Sequence, residues 1–230
     1  MHRVLQLSGS LRKDSLNSRL LSCLPALAPG LFEWRTFDGL GELPLYDEDA
    51  DTDVPPPAVG RFRRAVAECD GLVIATPEYN HSLPGVLKNA IDWASRPKDA
   101  PALTGKGVVV LTATPARARG FRGVADTAAM LNELGNLVVP QPQAVVHLAH
   151  RALATDEYGG ARLLDPEAAR LIRVQLRVLG DLLAQDQPGA LLRSIRTHLA
   201  GTSGTAPTGS ASTPPVPSGP VPSGPVPASA

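Results

Sequence analysis

The sequence predicts a doubly wound α/β sandwich, five parallel strands with helices on both faces. Strand and helix patterns alternate along most of the chain. Val108-Val109-Val110-Leu111 is apolar on both faces, as a strand covered from both sides requires. Proline stands near the first turn of several helical stretches, at Pro57, Pro84 and Pro166, where its missing N–H leaves no helical hydrogen bond unmade.

Each element follows from its local pattern. Residues 3–7 form a short apolar strand, followed by a polar loop and a helix over about 18–27. Residues 31–37 and 71–76 read as short strands, with helical periodicity over 57–69 between them. A helix over 84–94, the long buried strand 107–114 and a helix over 124–134 come next. Val138-Val139-Pro140 begins a weaker fifth strand, and 166–184 is a long helix.

Composition narrows the function. The chain has 230 residues, zero formal net charge and 43% hydrophobic residues, which fits one well-buried globular domain, here 1–190. There is no basic excess for nucleic acid. No apolar run reaches the roughly 18 residues of a membrane span, and no charged-then-apolar signal segment opens the chain, so a cytoplasmic location is expected. Residues 191–230 are expected to be a disordered tail, because from about Gly201 the composition turns to Gly, Ser, Thr, Ala and repeated Pro-Val-Pro-Ser-Gly. Cys23 and Cys69 lie in apolar helical contexts without metal or redox spacing and read as inert buried thiols.

Two loops carry the chemistry. The first, Gly9-Ser10-Leu11-Arg12-Lys13-Asp14-Ser15-Leu16-Asn17-Ser18, joins the first strand to its helix. A helix start leaves backbone N–H groups unpaired and carries about half a positive charge, which suits a phosphate. Hydroxyls of Ser10, Ser15 and Ser18, the Asn17 amide and the Arg12 guanidinium add to it. Equally, Ser15 or Asn17 could be an ordinary helix cap. The glycine spacing is not the dinucleotide fingerprint, and Thr104-Gly105-Lys106-Gly107 precedes its strand and reads as a turn.

The second loop, Thr76-Pro77-Glu78-Tyr79-Asn80-His81-Ser82-Leu83-Pro84-Gly85, follows the third strand and leads into Val86-Leu87-Lys88-Asn89-Ala90-Ile91-Asp92-Trp93. In an open α/β sheet it faces the first loop across the crevice where strand order reverses. Pro77 restricts the backbone, Tyr79 offers a flat wall and Asn80 sits among amides that can point at ring oxygens and nitrogens. Such a loop either holds a planar ring or is a turn with a half-buried tyrosine.

Over about residues 3–185 the paired loops make the chain resemble the NADPH-dependent FMN reductase family, which includes bacterial quinone and chromate reductases. The resemblance implies a flavodoxin-like sheet of order 2-1-3-4-5. It implies FMN as cofactor, with Ser10, Arg12, Ser15 and Asn17 on the phosphate, Leu16 contributing backbone, and Pro77, Glu78, Tyr79 and Asn80 bordering the isoalloxazine. NADPH or NADH would supply hydride for a quinone or similar small-molecule acceptor, or for FMN itself, with no protein side chain as catalyst. A dimer or tetramer through the 84–95 helix is also implied; its Val86, Leu87, Ala90, Ile91 and Trp93 exceed a single buried stripe.

The segment Thr112-Ala113-Thr114-Pro115-Ala116-Arg117-Ala118-Arg119-Gly120-Phe121-Arg122-Gly123 departs from the family, keeping only Gly120 and Gly123 of its glycines. Its arginines either grip the 2′-phosphate of NADPH or are solvated. Asp47, Asp49, Asp51 and Asp53 fail the calcium-loop pattern at Thr52 and Ala58 and read as a solvated acidic loop, and His147 with His150 lacks further metal ligands. The rival from another class is a flavodoxin-type electron carrier, which needs an acidic face to meet redox partners, whereas this chain is neutral overall and its first loop bears an arginine. A third possibility is a flavin-fold scaffold that recruits a partner through its proline-rich tail.

Overall fold

The computed structural model describes residues 1–140, 144–155 and 160–202, with 198–202 as backbone only. Its elements are β1 (His2–Ser8), α1 (Leu16–Leu27), β2 (Phe32–Phe37), α2 (Pro57–Ala67), β3 (Gly71–Ala75), α3 (Gly85–Ala94), β4 (Gly107–Ala113), α4 (Phe121–Glu133), β5 (Leu137–Val138), β6 (Val145–Val146), α5 (Ala149–Ala152), β7 (Leu153–Thr155), β8 (Ala161–Leu163), α6 (Pro166–Ala184) and α7 (Gln187–Thr202). The sheet runs β2-β1-β3-β4-β5, parallel throughout, as expected for a doubly wound fold.

Alternation along the strands divides the core in two. Val4, Val73, Val109 and Leu111 face Leu20, Leu24, Ile172 and Leu176 of α1 and α6. Leu5, Leu72, Ile74, Val108 and Val110 face the α2, α3 and α4 layer, including Phe62, Leu87 and Leu131. Every residue of β4 is buried, which is why its sequence is apolar on both faces.

Pro25 lies inside α1 and cannot donate to the Leu21 carbonyl one turn earlier. The buried Gln6 side chain replaces that bond from β1, its Nε2 donating to Leu21 O at 2.9 Å, while Thr36 of β2 donates to Gln6 Oε1 at 3.1 Å. A polar residue in a core strand thus satisfies a helix defect.

The structure departs from the sequence reading in several places. The fifth strand is split: β5 pairs with the beginning of β4 and β6 with its end, with Pro140, which has no N–H for a ladder, after the first piece. The hairpin β7–β8 and the helices α5 and α7 were not anticipated. The boundary at residue 190 falls inside α7, whose Leu192 packs so closely on Gly105 that a Cβ there would stand 2.7 Å from Leu192 Cδ2. The tail expected beyond it lies, from residue 203 on, outside the described residues.

The acidic loop is not wholly solvated: Asp51 forms a partly buried ion pair with Arg63 at 2.8 Å, and Arg63 Nε donates to Trp93 O. Leu87, Ala90, Ile91 and Trp93 are buried within the chain itself, so the apolar surplus of α3 serves the protomer's own core. Asn89 and Trp93 both donate to Pro44 O at 2.8 Å, tying the segment after β2 to this helix. Burial pushes the Cys23 thiol up to about 11 and raises that of Cys69, as inert thiols require.

Candidate functional site

The β1–α1 loop is pressed against the β3–α3 loop. Gly9 N donates to Ala75 O at 2.8 Å, and a Cβ at Gly9 would stand 2.4 Å from Thr76 Oγ1, so only glycine fits. Ser15 caps α1 by accepting from Ser18 N at 3.2 Å. The first-turn N–H groups of Leu16 and Asn17 keep no intrahelical acceptor, as at any helix start. Arg12 is exposed at the rim, and its own N–H donates to Ser10 Oγ at 3.3 Å.

Asn17 is engaged elsewhere than at a phosphate. Its buried side chain clamps the end of β4, with Oδ1 accepting from Ala113 N at 2.8 Å and Nδ2 donating to Ala113 O at 3.2 Å. What Asn17 leaves for an anion is its backbone N–H.

The β3–α3 loop is a tight hairpin. Tyr79 and Ser82 exchange two backbone bonds of 3.0 Å, and Asn80 and His81 between them both have positive φ, at 50° and 67°. This is the primed two-residue turn, for which Asn is well suited at its first position. Glu78 turns toward α4: its Oε2 accepts from the backbone N–H of Gly120, Arg122 and Gly123 at 3.0–3.3 Å. Burial raises its pKa, but those bonds outweigh it and hold the carboxyl below the usual carboxylate range.

The two loops and the end of β4 enclose a cavity of about 350 Å³. Ser10, Arg12, Ser15, Leu16, Asn17, Pro77, Glu78 and Tyr79 all line it, joined by Thr114 and Arg119. Asn80 does not; it stands exposed at the turn tip. Arg117 and Arg122 are exposed outside the lining. Thr114 was not singled out as a binding residue, because the segment departs from the family pattern there; of the three arginines weighed for the 2′-phosphate, Arg119 is the one at the cavity.

A cavity of about 410 Å³ lies between α1 and β2, walled by Leu21, Pro25, Trp34 and Phe37. Its Ser8 and Ser18 hydroxyls bond each other at 2.8 Å and Thr36 bonds Gln6, and its lining holds Asp38 and no lysine or arginine, which does not suit an anion. Among the described residues no group of His, Cys, Asp or Glu could hold a metal, and no helix is long and apolar enough to cross a membrane.

An open helix start beside an arginine, facing a proline- and tyrosine-walled slot at the carboxyl ends of parallel strands, fits a phosphate linked to a flat ring. This donor set suits FMN and defines a flavoprotein of the doubly wound class. The model of the NADPH-dependent FMN reductase family matches residues 2–151, and the chain belongs to that family.

The chain is similar to an NAD(P)H-dependent FMN reductase of Pseudomonas aeruginosa, 41% identical over 177 residues, 77% of this chain and 92% of the relative. It is similar to a quinone reductase of Escherichia coli, 39% identical over 142 residues, 61% of this chain and 75% of the relative. Among solved structures, it resembles the NAD(P)H:(acceptor) oxidoreductase flavoenzyme FerB of Paracoccus denitrificans, with TM-score 0.70 and 30% identity over 81% of this chain and 99% of that one. The protein is an NAD(P)H-dependent FMN oxidoreductase, which sets the electron-carrier alternative aside.

Proposed function

We propose that the chain passes reducing equivalents from NAD(P)H through FMN to a quinone or similar small-molecule acceptor in the cytoplasm, as a dimer or tetramer. The observation that carries this reading is one cavity joining the open start of α1, with Arg12 and Ser15 beside it, to the Pro77–Tyr79 wall. The quinone reductase of E. coli supports the acceptor class.

In this reading Ser10, Arg12, Ser15 and the N–H groups of Leu16 and Asn17 hold the phosphate. Pro77, Glu78 and Tyr79 border the ring, Tyr79 also screening it from water, while Asn80 shapes the turn that carries them. Bound there, FMN would supply the hydride chemistry that links the nicotinamide to the acceptor, and the residues of the two loops would hold and orient it. The Glu78 backbone N–H, which the hairpin does not use, would stabilise negative charge on a bound ring. Arg119, at the cavity wall, faces the 2′-phosphate of NADPH.

The test is direct. Purified protein should bind FMN, turning yellow, and should oxidise NAD(P)H in steady state when FMN and a benzoquinone are added. Protein that binds FMN yet leaves benzoquinone unreduced under saturating NADPH and NADH would overturn the acceptor assignment.

A further inference from the structure

Glu78 fills a seat that another helix start leaves open. Its side chain is 10% exposed, and its Oε2 takes the N–H groups of Gly120, Arg122 and Gly123 at the beginning of α4. Those donors and the helix dipole make an anion site, occupied here by a carboxylate from the neighbouring loop. The fit is close on both sides. A Cβ at Gly123 would stand 3.3 Å from Glu78 Cα and Cβ, and one at Gly120, where φ is 106°, would stand 2.8 Å from Thr112 Cγ2. These contacts and the positive φ at Gly120 account for glycine at both positions.

We propose that Glu78 is a positioning residue whose carboxylate locks the 77–80 turn to the start of α4, and whose charge, held at the wall of the flavin cavity, biases bound FMN toward its oxidised form. The second half rests on the placement of the ring against the 77–80 turn. Reduction adds negative charge to the ring. A fixed carboxylate at the cavity wall opposes that change, and it also neutralises the positive end of α4 that would otherwise favour it.

Geometry and charge can be separated. Glu78→Gln keeps an acceptor oxygen for α4 and removes only the charge, whereas Glu78→Ala empties the seat. In the full chain, Glu78→Gln should bind FMN within about threefold of wild type. Its bound FMN should shift toward the reduced form by about tenfold, roughly 30 mV more positive for a two-electron couple. In FMN-free protein, Glu78→Ala should speed amide exchange at Arg122 and Gly123 by tenfold or more, and Glu78→Gln much less.

An unchanged midpoint potential in a Glu78→Gln protein that binds FMN normally would overturn the electrostatic role. Unchanged exchange at Arg122 and Gly123 in Glu78→Ala would overturn the positioning role. If FMN binds normally but a 5-deaza or riboflavin analogue shows no contact with the 77–80 turn by chemical-shift change, the ring placement fails. The exchange experiment then still decides the positioning half.

Discussion

The starts of α1 and α4 both lie at the carboxyl ends of the strands, and both are flanked by arginine, yet they do different things. At α1 the cap is one hydroxyl, Ser15, which takes a single N–H and leaves the first turn open toward the cavity. At α4 the Glu78 carboxylate takes the N–H groups of Gly120, Arg122 and Gly123. An anion drawn to the first finds a seat; at the second the seat is filled. A helix start near cations is thus no measure of anion binding until its own protein acceptors are counted.

The largest effect that would break this comparison comes from the clamp that keeps α1 in place. Asn17→Ala leaves the backbone N–H and C=O of Ala113 without partners in a buried site, at about 1–3 kcal/mol each. Stability should fall by roughly 2 to 5 kcal/mol. Urea unfolding of FMN-free protein measures it, and a loss under about 1 kcal/mol would mean that α1 is held by its apolar face alone.

Next in size is the open seat itself. Arg12→Ala removes a charge-assisted bond that, for an exposed side chain, lies at the low end of about 1.5 to 3 kcal/mol, so FMN should bind roughly tenfold more weakly. Riboflavin, which has no phosphate, should bind both proteins alike. Equal FMN affinity in titrations of wild type and variant would remove the phosphate from this loop.

A smaller effect is expected at the filled seat. Arg119 is the arginine of its segment that reaches the cavity, and it is exposed, so a pairing with the 2′-phosphate of NADPH is worth at most about 1 kcal/mol. Arg119→Ala should raise KM for NADPH about fivefold and leave KM for NADH unchanged. A matched rise for both would make Arg119 a general contact instead of a phosphate reader.

The two helix starts also mark what the sequence made legible. Sheet order, the two loops and the cavity were readable because local patterns fix the strands and the resemblance fixes the loops. The roles of Asn17 and Glu78 were not, since their partners lie 96 and 42 to 45 residues away and no local pattern encodes such pairings. The Asp51–Arg63 pair was hidden for a related reason: an aspartate in an acidic run reads as solvated until a neighbouring helix brings it a partly buried partner. The apolar surplus of α3 has partners that its own sequence does not reveal, in the segment from Pro44 to Tyr46 and in the sheet.

The smallest expected effect concerns the end of the chain. Leu192 seats on Gly105 and lies 3.9 Å from where a Cβ of Gly135 would be, so α7 belongs to the folded domain, and a fair cut comes after Thr202 instead of at 190. Beyond that point the sequence is rich in Pro, Ser, Gly and Thr and has no large apolar side chain other than valine, so it has little with which to pack on a flavin cavity. Protein ending at Thr202 should keep FMN affinity and NAD(P)H turnover within about twofold of the full chain, below roughly 0.4 kcal/mol. A tenfold drop in turnover, with FMN affinity intact, would mean that residues 203–230 act on the acceptor side of the site, and the contrast between the two helix starts would no longer account for the chemistry alone.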